Sequence, residues 1–154
     1  MSEHGAVVRW QRGGDEFTRG RYSRRHEWRF DGGAVVPASA APSNVRAPWS
    51  DPAAVDPEEA LVAAIASCHM LWFLALAAKR GFVVDSYEDG AIGSMQRIAN
   101  GHEAITDVVL RPRVVFGSEH TPDAATIAAL HEAAHEHCYI ANSVKSTIRI
   151  EAAP

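Results

Sequence analysis

Apolar and polar residues alternate over positions 6–11, AVVRWQ, and again over 21–30, RYSRRHEWRF, where Tyr22, Arg24, His26, Trp28 and Phe30 recur at every second position. The segment between them, RGGDEFTRG, is turn-rich, and Asp31-Gly32-Gly33 predicts a tight turn into a short strand from Ala34 to Val36. The N-terminal third therefore reads as β. Residues 37–55, PASAAPSNVRAPWSDPAAV, predict a long irregular connection of the kind that serves a function or drapes over a partner. A helix start follows: Asp56 is a good N-cap, Pro57 fits the first helical position, and Glu58 and Glu59 occupy the turn where the helix dipole favours acids. This helix runs to Lys79-Arg80 and stops at Gly81. Residues 82–98 and 103–116 read as two strands joined at Asn100-Gly101, a signal for a type I′ hairpin turn. A second helix opens at Thr121-Pro122-Asp123 as cap, first-turn proline and acid, with Ile127, Leu130, Ala134 and Cys138 on one face. SVKSTIRIEA alternates as a closing strand. The order is a β-rich part, a long central helix, a ββ hairpin, a second helix and a last strand. That is an α+β fold, and 154 residues fit one domain, 1–154.

The stretch Leu61 to Ala78, LVAAIASCHMLWFLALAA, is apolar on every side and reaches the length a bilayer requires. Its Ala-rich composition, its isolation, and Ser67, Cys68 and His69 at its middle favour the central helix of a soluble core. Net charge of -4 and a pI near 6.0 leave no electrostatic footprint for nucleic acid. Arg19, Arg21, Arg24, Arg25 and Arg29 do cluster, but Glu16 and Glu27 interleave with them, as on the polar face of a sheet. MSEHGAVVRW lacks the basic and apolar regions of a secretory signal, which predicts a cytoplasmic protein. Its two cysteines are then kept reduced, leaving catalysis, metal binding or plain packing as their roles.

Cys68 sits mid-helix in apolar surroundings, where burial alone would raise its thiol pKa. Reactivity there needs a cation to stabilise the thiolate. Cys138 falls near the C-terminus of the second helix, where the dipole disfavours a thiolate. If one of the two is an attacking thiolate, Cys68 is therefore the better placed, and Cys138 then suits resolution of a sulfenic acid. A competing motif is His131-Glu132-Ala133-Ala134-His135, an H-E-x-x-H match on a predicted helix. Zinc there would need a third protein ligand, for which His69, Cys68 and Glu151 are the options. A zinc-binding protein or metallohydrolase, zinc held by both cysteines and a histidine, and a non-catalytic binding module all remain open at this point.

The segment DPEEALVAAIASC, 56–68, resembles the OsmC/Ohr family of organic hydroperoxide reductases, in which a Pro-Glu pair opens a long helix carrying the peroxide-attacking cysteine. AHEHCYIANS, 134–143, is similar to the second motif of that family, a cysteine closing the later helix before a Ser/Ala-Asn stretch. The resemblance covers nearly the whole chain. It implies an OsmC-like fold as an intertwined homodimer, with Cys68 peroxidatic and Cys138 resolving. It also implies that Glu58 pairs with an arginine from the early hairpin that activates the thiolate, Arg24 before Arg21. The implied activity is antioxidant: thiol-dependent reduction of organic hydroperoxides through a redox-active disulfide reset by a dithiol, without a metal or other cofactor. Tyr139, where a proline often follows the second cysteine, and His69 depart from the family pattern. Glu58 and Cys68 lie ten residues apart on one helix, about 15 Å along its axis. A bridging arginine or a carboxylate from a second chain is therefore required, which also predicts active sites at a dimer interface.

Overall fold

The alternating N-terminal segments pair as an antiparallel sheet of three strands, β1 (Ala6–Arg9), β2 (His26–Phe30) and β3 (Val35–Ala38), in that order. Trp28 lies opposite Val8 on one side and Val36 on the other, a cross-strand row of β-forming side chains. The strand predicted from 21 begins only at His26, because Arg24 gives its backbone N–H to Trp49 and Arg25 gives its own to the Ser23 hydroxyl. The long connection is tied down rather than loose. Val55 donates to Pro37 and Ser39 to Val55, while the Ser39 hydroxyl accepts from Asp51 N–H at 3.0 Å. In this computed structural model residues 1–117 and 119–152 are described, and the chain divides into two units, Met1–Ala60 and Leu61–Pro154.

Helix α1 (Pro57–Lys79) starts at the end of the first unit and runs into the second. Its entry is a reciprocal capping box: Asp56 Oδ1 accepts from Glu59 N–H at 2.8 Å, and Glu59 Oε2 accepts from Asp56 N–H at 3.2 Å. Gly81, at φ 81°, supplies the left-handed exit that a side chain would strain.

In the second unit, β4 (Val84–Asp89) pairs with β7 (Pro112–Phe116), and β5 (Ile92–Arg97) with β6 (Glu103–Leu110), which takes β8 (Thr147–Ile150) in parallel on its far side. The two predicted strands are thus each broken. Arg111 gives its N–H to the Asp89 carboxylate at 2.7 Å instead of a ladder carbonyl, and Pro112 has none to give. The hairpin turn differs from the predicted type I′, since Gly101 has positive φ and Asn100 does not. Ile98 N–H reaches His102 O and Gly101 N–H reaches Ile98 O, both at 2.8 Å, the pattern of a three-residue loop with glycine in the left-handed position. Helix α2 (Ala124–His137) is capped by Asp123, whose carboxylate accepts from Thr126 N–H at 2.8 Å. The predicted cap, Thr121, instead turns its hydroxyl to Gly117 O, so Pro122 lies outside the helix.

Burial on α1 is confined to Ile65, His69, Phe73 and Ala77, a stripe at every fourth residue. Ile65 packs with Val108 and Leu110 of β6, and Phe73 and Ala77 pack with Leu130 and Ala134 of α2. The expectation of a helix enclosed on every side is therefore not met within one chain: Leu71 is 60% exposed. Between the two apolar clusters lies a polar pair. His69 Nε2 faces His131 Nδ1 at 3.0 Å, and both residues are buried. Burial lowers His131 from the ordinary 6.5 to about 4. Burial, then repulsion from His131 and His135, does the same for His69.

Two predictions follow from this packing. A Cβ on Gly93 of β5 would stand 2.6 Å from Val62 Cγ2, a stiff β-branched methyl, so Gly93→Ala is expected to cost about 1–3 kcal/mol in denaturant unfolding. Val62→Ala should recover part of that loss; equal loss in both backgrounds would refute the clash. For the histidines, folded pKa values near 4 lie below the unfolded 6.5, so the unfolded chain binds protons first on acidification. Stability should be complete above pH 6.5 and fall between 6.5 and about 4. The His69→Leu/His131→Phe double variant should flatten that slope in a pH series of unfolding midpoints.

Candidate active site

Cys68 occupies α1 beside the buried stripe, half-buried, in the wall of a cavity of about 450 Å³. Ser67, Leu71, Trp72, Tyr139 and Ile140 share that wall, and no charged side chain lines it. The cavity lies wholly within the second unit, since helical spacing aims Cys68, Leu71 and Trp72 from one side while Tyr139 and Ile140 close it from beyond α2.

Cys138 ends α2. Its backbone leaves the helix at φ -64° and ψ 110°, and its side chain is 1% exposed. The turn that follows is held by Asn142, whose amide donates to Glu136 O at 2.9 Å and to Cys138 O at 3.0 Å, satisfying carbonyls that the helix end leaves open. Ser143 Oγ donates to Tyr139 O at 2.7 Å. This winding brings Ala141 N–H to within 3.4 Å of Cys138 Sγ. The Cys138 thiol pKa is pushed up, first by burial and then by the side chain of Cys68 through hydrogen bonding and charge, while the Ala141 N–H works the other way. Both cysteines, seventy residues apart in the chain, are free, and the Cys68 side chain is near enough to act on the Cys138 thiol.

The other predicted site residues belong to the first unit. Glu58, in the first turn of α1, accepts at Oε1 from the Asn44 amide at 3.1 Å, while its Oε2 is buried without a partner. Among the described residues no arginine pairs with it, so the arginine expected from the resemblance is absent from Glu58 within a single chain. Arg24 is half-buried, its guanidinium 3.6 Å from the centre of the Tyr22 ring and bonded to the carbonyls of Gly20 and Tyr22. It lines a second apolar cavity, of about 470 Å³, with Val8, Trp10, Phe17, Tyr22 and His26. Arg21 is exposed and paired with Glu16 at 3.3 Å. Of the two expected arginines, Arg24 is thus the one without a carboxylate partner among the described residues.

Three features escaped the sequence reading. Asn44 as the partner of Glu58 lies in the irregular connection, where no period marks it. Asn142 stands in the Ala-Asn-Ser stretch after α2, and an amide just past a helix end is a capping signal that could have been read. The third is an aromatic stack: Trp72 lies against His137 at 4.9 Å and meets Tyr139 edge-on at 5.5 Å. The H-E-x-x-H match resolves differently from a zinc centre. His131 is turned into the core against His69, Glu132 is exposed, and His135 keeps a buried Nδ1 without a partner. Among the described residues no group of three or more His, Cys, Asp or Glu side chains is arranged to hold a metal ion.

Known proteins match this arrangement. The OsmC-like protein family model covers residues 50–153. The structure of an OsmC-like protein of unknown function from Vibrio cholerae is 48% identical, with a TM-score of 0.97, over 99% of this chain and 100% of that one. An organic hydroperoxide resistance protein from Elizabethkingia anophelis shares the fold at TM-score 0.71 and 16% identity, covering 99% of this chain and 94% of that one. OhrB of Bacillus subtilis, another organic hydroperoxide resistance protein, does so at 0.69 and 16%, covering 99% and 98%. No curated protein sequence matches. With both cysteine motifs inside the matched span and the fold shared end to end with a relative at 48% identity, the chain belongs to the OsmC family.

Proposed function

We propose that this protein is a cytoplasmic thiol peroxidase that reduces organic hydroperoxides, with residues 1–154 acting as one OsmC-like module. The observation that carries the reading is a free Cys68 in the wall of an apolar cavity, near enough to a second free thiol, Cys138, to act on it. The hydroperoxide resistance named for two structural neighbours accords with it. The Cys68 thiolate attacks the outer oxygen of R–O–OH, the O–O bond breaks, and the sulfur becomes S–OH while RO⁻ departs. The alkoxide takes a proton to give the alcohol. Cys138, deprotonated in its turn, attacks the sulfenic sulfur, forming the disulfide and releasing water after proton uptake. A dithiol then exchanges through a mixed disulfide and restores both thiols, its own sulfurs becoming oxidised.

The order of attack follows from the environments. Cys138 is buried and held protonated, which suits a group that acts second. Cys68 opens on the cavity, where substrate can reach it. Arg24 is the cation we assign to the thiolate, with Glu58 orienting it through the carboxylate oxygen that has no partner in one chain. A homodimer is the assembly we assign. The uncovered apolar side of α1, with Leu71, and the exposed Val7, Val8 and Phe17 of the first unit are surfaces a second copy would bury.

Cys68→Ser is expected to lower reduction of cumene hydroperoxide by roughly a thousandfold or more. Peroxide should remove both free thiols per chain in the wild type, whereas Cys138→Ser should accumulate a sulfenic acid trappable by dimedone. Unchanged turnover in Cys68→Ser would sink the assignment. Arg24→Ala should cut kcat/KM by about a hundredfold, a loss typical of removing one charge-stabilising group, while Arg21→Ala should stay near the wild type. Sedimentation of the intact protein should return twice the 16.7 kDa chain mass, and a monomer active at full rate would overturn the dimeric site.

A further inference from the structure

We propose that Asn142 is a positioning residue for the second chemical step: by clamping the turn after α2 it holds the Ala141 N–H on the Cys138 sulfur, an inference that rests on the peroxidase reading above. Resolution needs Cys138 as a thiolate, because the thiol itself is a poor nucleophile. Its surroundings oppose that ion. The residue is buried, and it sits at the C-terminal end of α2, where the helix dipole is negative. Arg24 is assigned to Cys68, which opens on the cavity. Cys138 is sealed from solvent, and the donors that favour its ionised form are main-chain N–H groups of its own turn, Ala141 at 3.4 Å and, more weakly, Ile140. The titratable side chain acting on Cys138 is Cys68 of α1, and its influence opposes ionisation. Once Cys68 has become a neutral S–OH that charge is gone, which leaves burial set against the two N–H groups.

The N–H is aimed because the turn around it is fixed. Asn142 makes three hydrogen bonds back to the end of α2. Its amide nitrogen reaches Glu136 O at 2.9 Å and Cys138 O at 3.0 Å, and its own N–H also reaches Cys138 O at 3.0 Å. Ser143 adds its N–H to Ile140 O at 3.0 Å and its hydroxyl to Tyr139 O. The Ala141 N–H, directly before Asn142, is left for the sulfur. An asparagine suits this place because one side-chain amide carries two donors and can satisfy two carbonyls at once. Asn142 is exposed and packs into neither apolar cluster, so its side chain contributes hydrogen bonds rather than core. A hydrogen bond to sulfur strengthens when the sulfur becomes negative, and a donor held in place before the proton leaves needs no reorganisation at that moment. Freeing the turn lets the Ala141 N–H swing towards water, and Cys138 then holds its proton more tightly.

The test follows the sulfenic acid of a single turnover by dimedone trapping across a pH series, after reduced protein is mixed with equimolar cumene hydroperoxide. Asn142→Ala should move the midpoint of the rise in resolution rate to higher pH. Losing one hydrogen bond to a charged sulfur lowers the thiolate fraction about tenfold, and the more basic thiolate is about threefold the better nucleophile. Resolution near neutral pH should therefore slow by about threefold, while at alkaline pH the variant should equal or overtake the wild type. Asn142→Leu keeps the shape and loses the donors; it should behave alike, and it stands in should the alanine variant not fold. A lower rate at every pH with the midpoint unmoved means that the sulfur is merely displaced, and overturns the proposal. Variants indistinguishable from the wild type overturn it too. A second readout needs no peroxide. In the Cys68→Ser protein Cys138 is the one remaining thiol, and its ultraviolet thiolate absorbance should appear at higher pH when Asn142→Ala is added. Should the wild type reduce no peroxide while this shift persists, the peroxidase reading falls and the clamp stands. Peroxide turnover with an unshifted titration would reject the clamp alone.

Discussion

Everything at the candidate site depends on one packing contact, the face of α1 laid against α2. Phe73 and Ala77 of the first helix close on Leu130 and Ala134 of the second, and all four are buried. The large side chains, Phe73 and Leu130, fill the space between the helices, and Ala77 and Ala134 complete the buried layer. That contact fixes the distance between two helices whose cysteines lie one to two turns further along from it. Neither thiol has a chemical partner on its own helix. That the Cys68 side chain comes near enough to act on the Cys138 thiol is a consequence of apolar burial elsewhere.

Such a contact sets two requirements in opposition. Burial strong enough to hold the helices together also disfavours a charged sulfur, and Cys138 shows this directly in its raised pKa. The chain separates the requirements in space. Its buried stripe passes through Ile65, His69 and Phe73, while Cys68 sits one position off it, facing a cavity. A helix turns about 100° per residue, so a single step in sequence moves a side chain from core to cavity wall. The same arrangement leaves the rest of α1 apolar and uncovered, which is costly for a lone chain in water and useful for one that associates.

Much of the fold was legible because the signals were local. Asp56 and Glu59, Gly81, and the apolar row Leu130, Ala134 and Cys138 each act within a turn or two of themselves, and the structure uses them as read. Where distant groups compete, local reading failed. Residues 21–25 carry strand alternation, but Arg24 gives its backbone N–H to Trp49 in the long connection and Arg25 gives its own to the Ser23 hydroxyl. The breaks at Gly90 and Arg111 come from the Asp89 carboxylate reaching across twenty-two residues. Asp123 displaced Thr121 as a cap because its carboxylate is positioned to accept from Thr126, while Thr121 found a carbonyl in the preceding loop. At the site, the cysteines could be singled out by their chemistry and the family resemblance. Asn44 and the Trp72–His137–Tyr139 stack are positioned by contacts between separate segments, so their spacing in the chain carried little warning.

The histidines of α2 show why a motif with sound local geometry need not carry its usual chemistry. Spacing by four places His131 and His135 on one face, as zinc ligation would require. Yet the face they share looks onto α1, and the group waiting there is His69, one residue after Cys68. A neutral imidazole can donate from one nitrogen and accept at the other, so two of them can share one hydrogen bond in an apolar interior without net charge. That pairing lets His131 bury its ring against Phe73 at 4.3 Å, contributing to the contact that aligns the cysteines. Helical periodicity states which side chains look the same way. What they look at is decided by the element packed opposite, and here that element converts a metal-like spacing into part of the core.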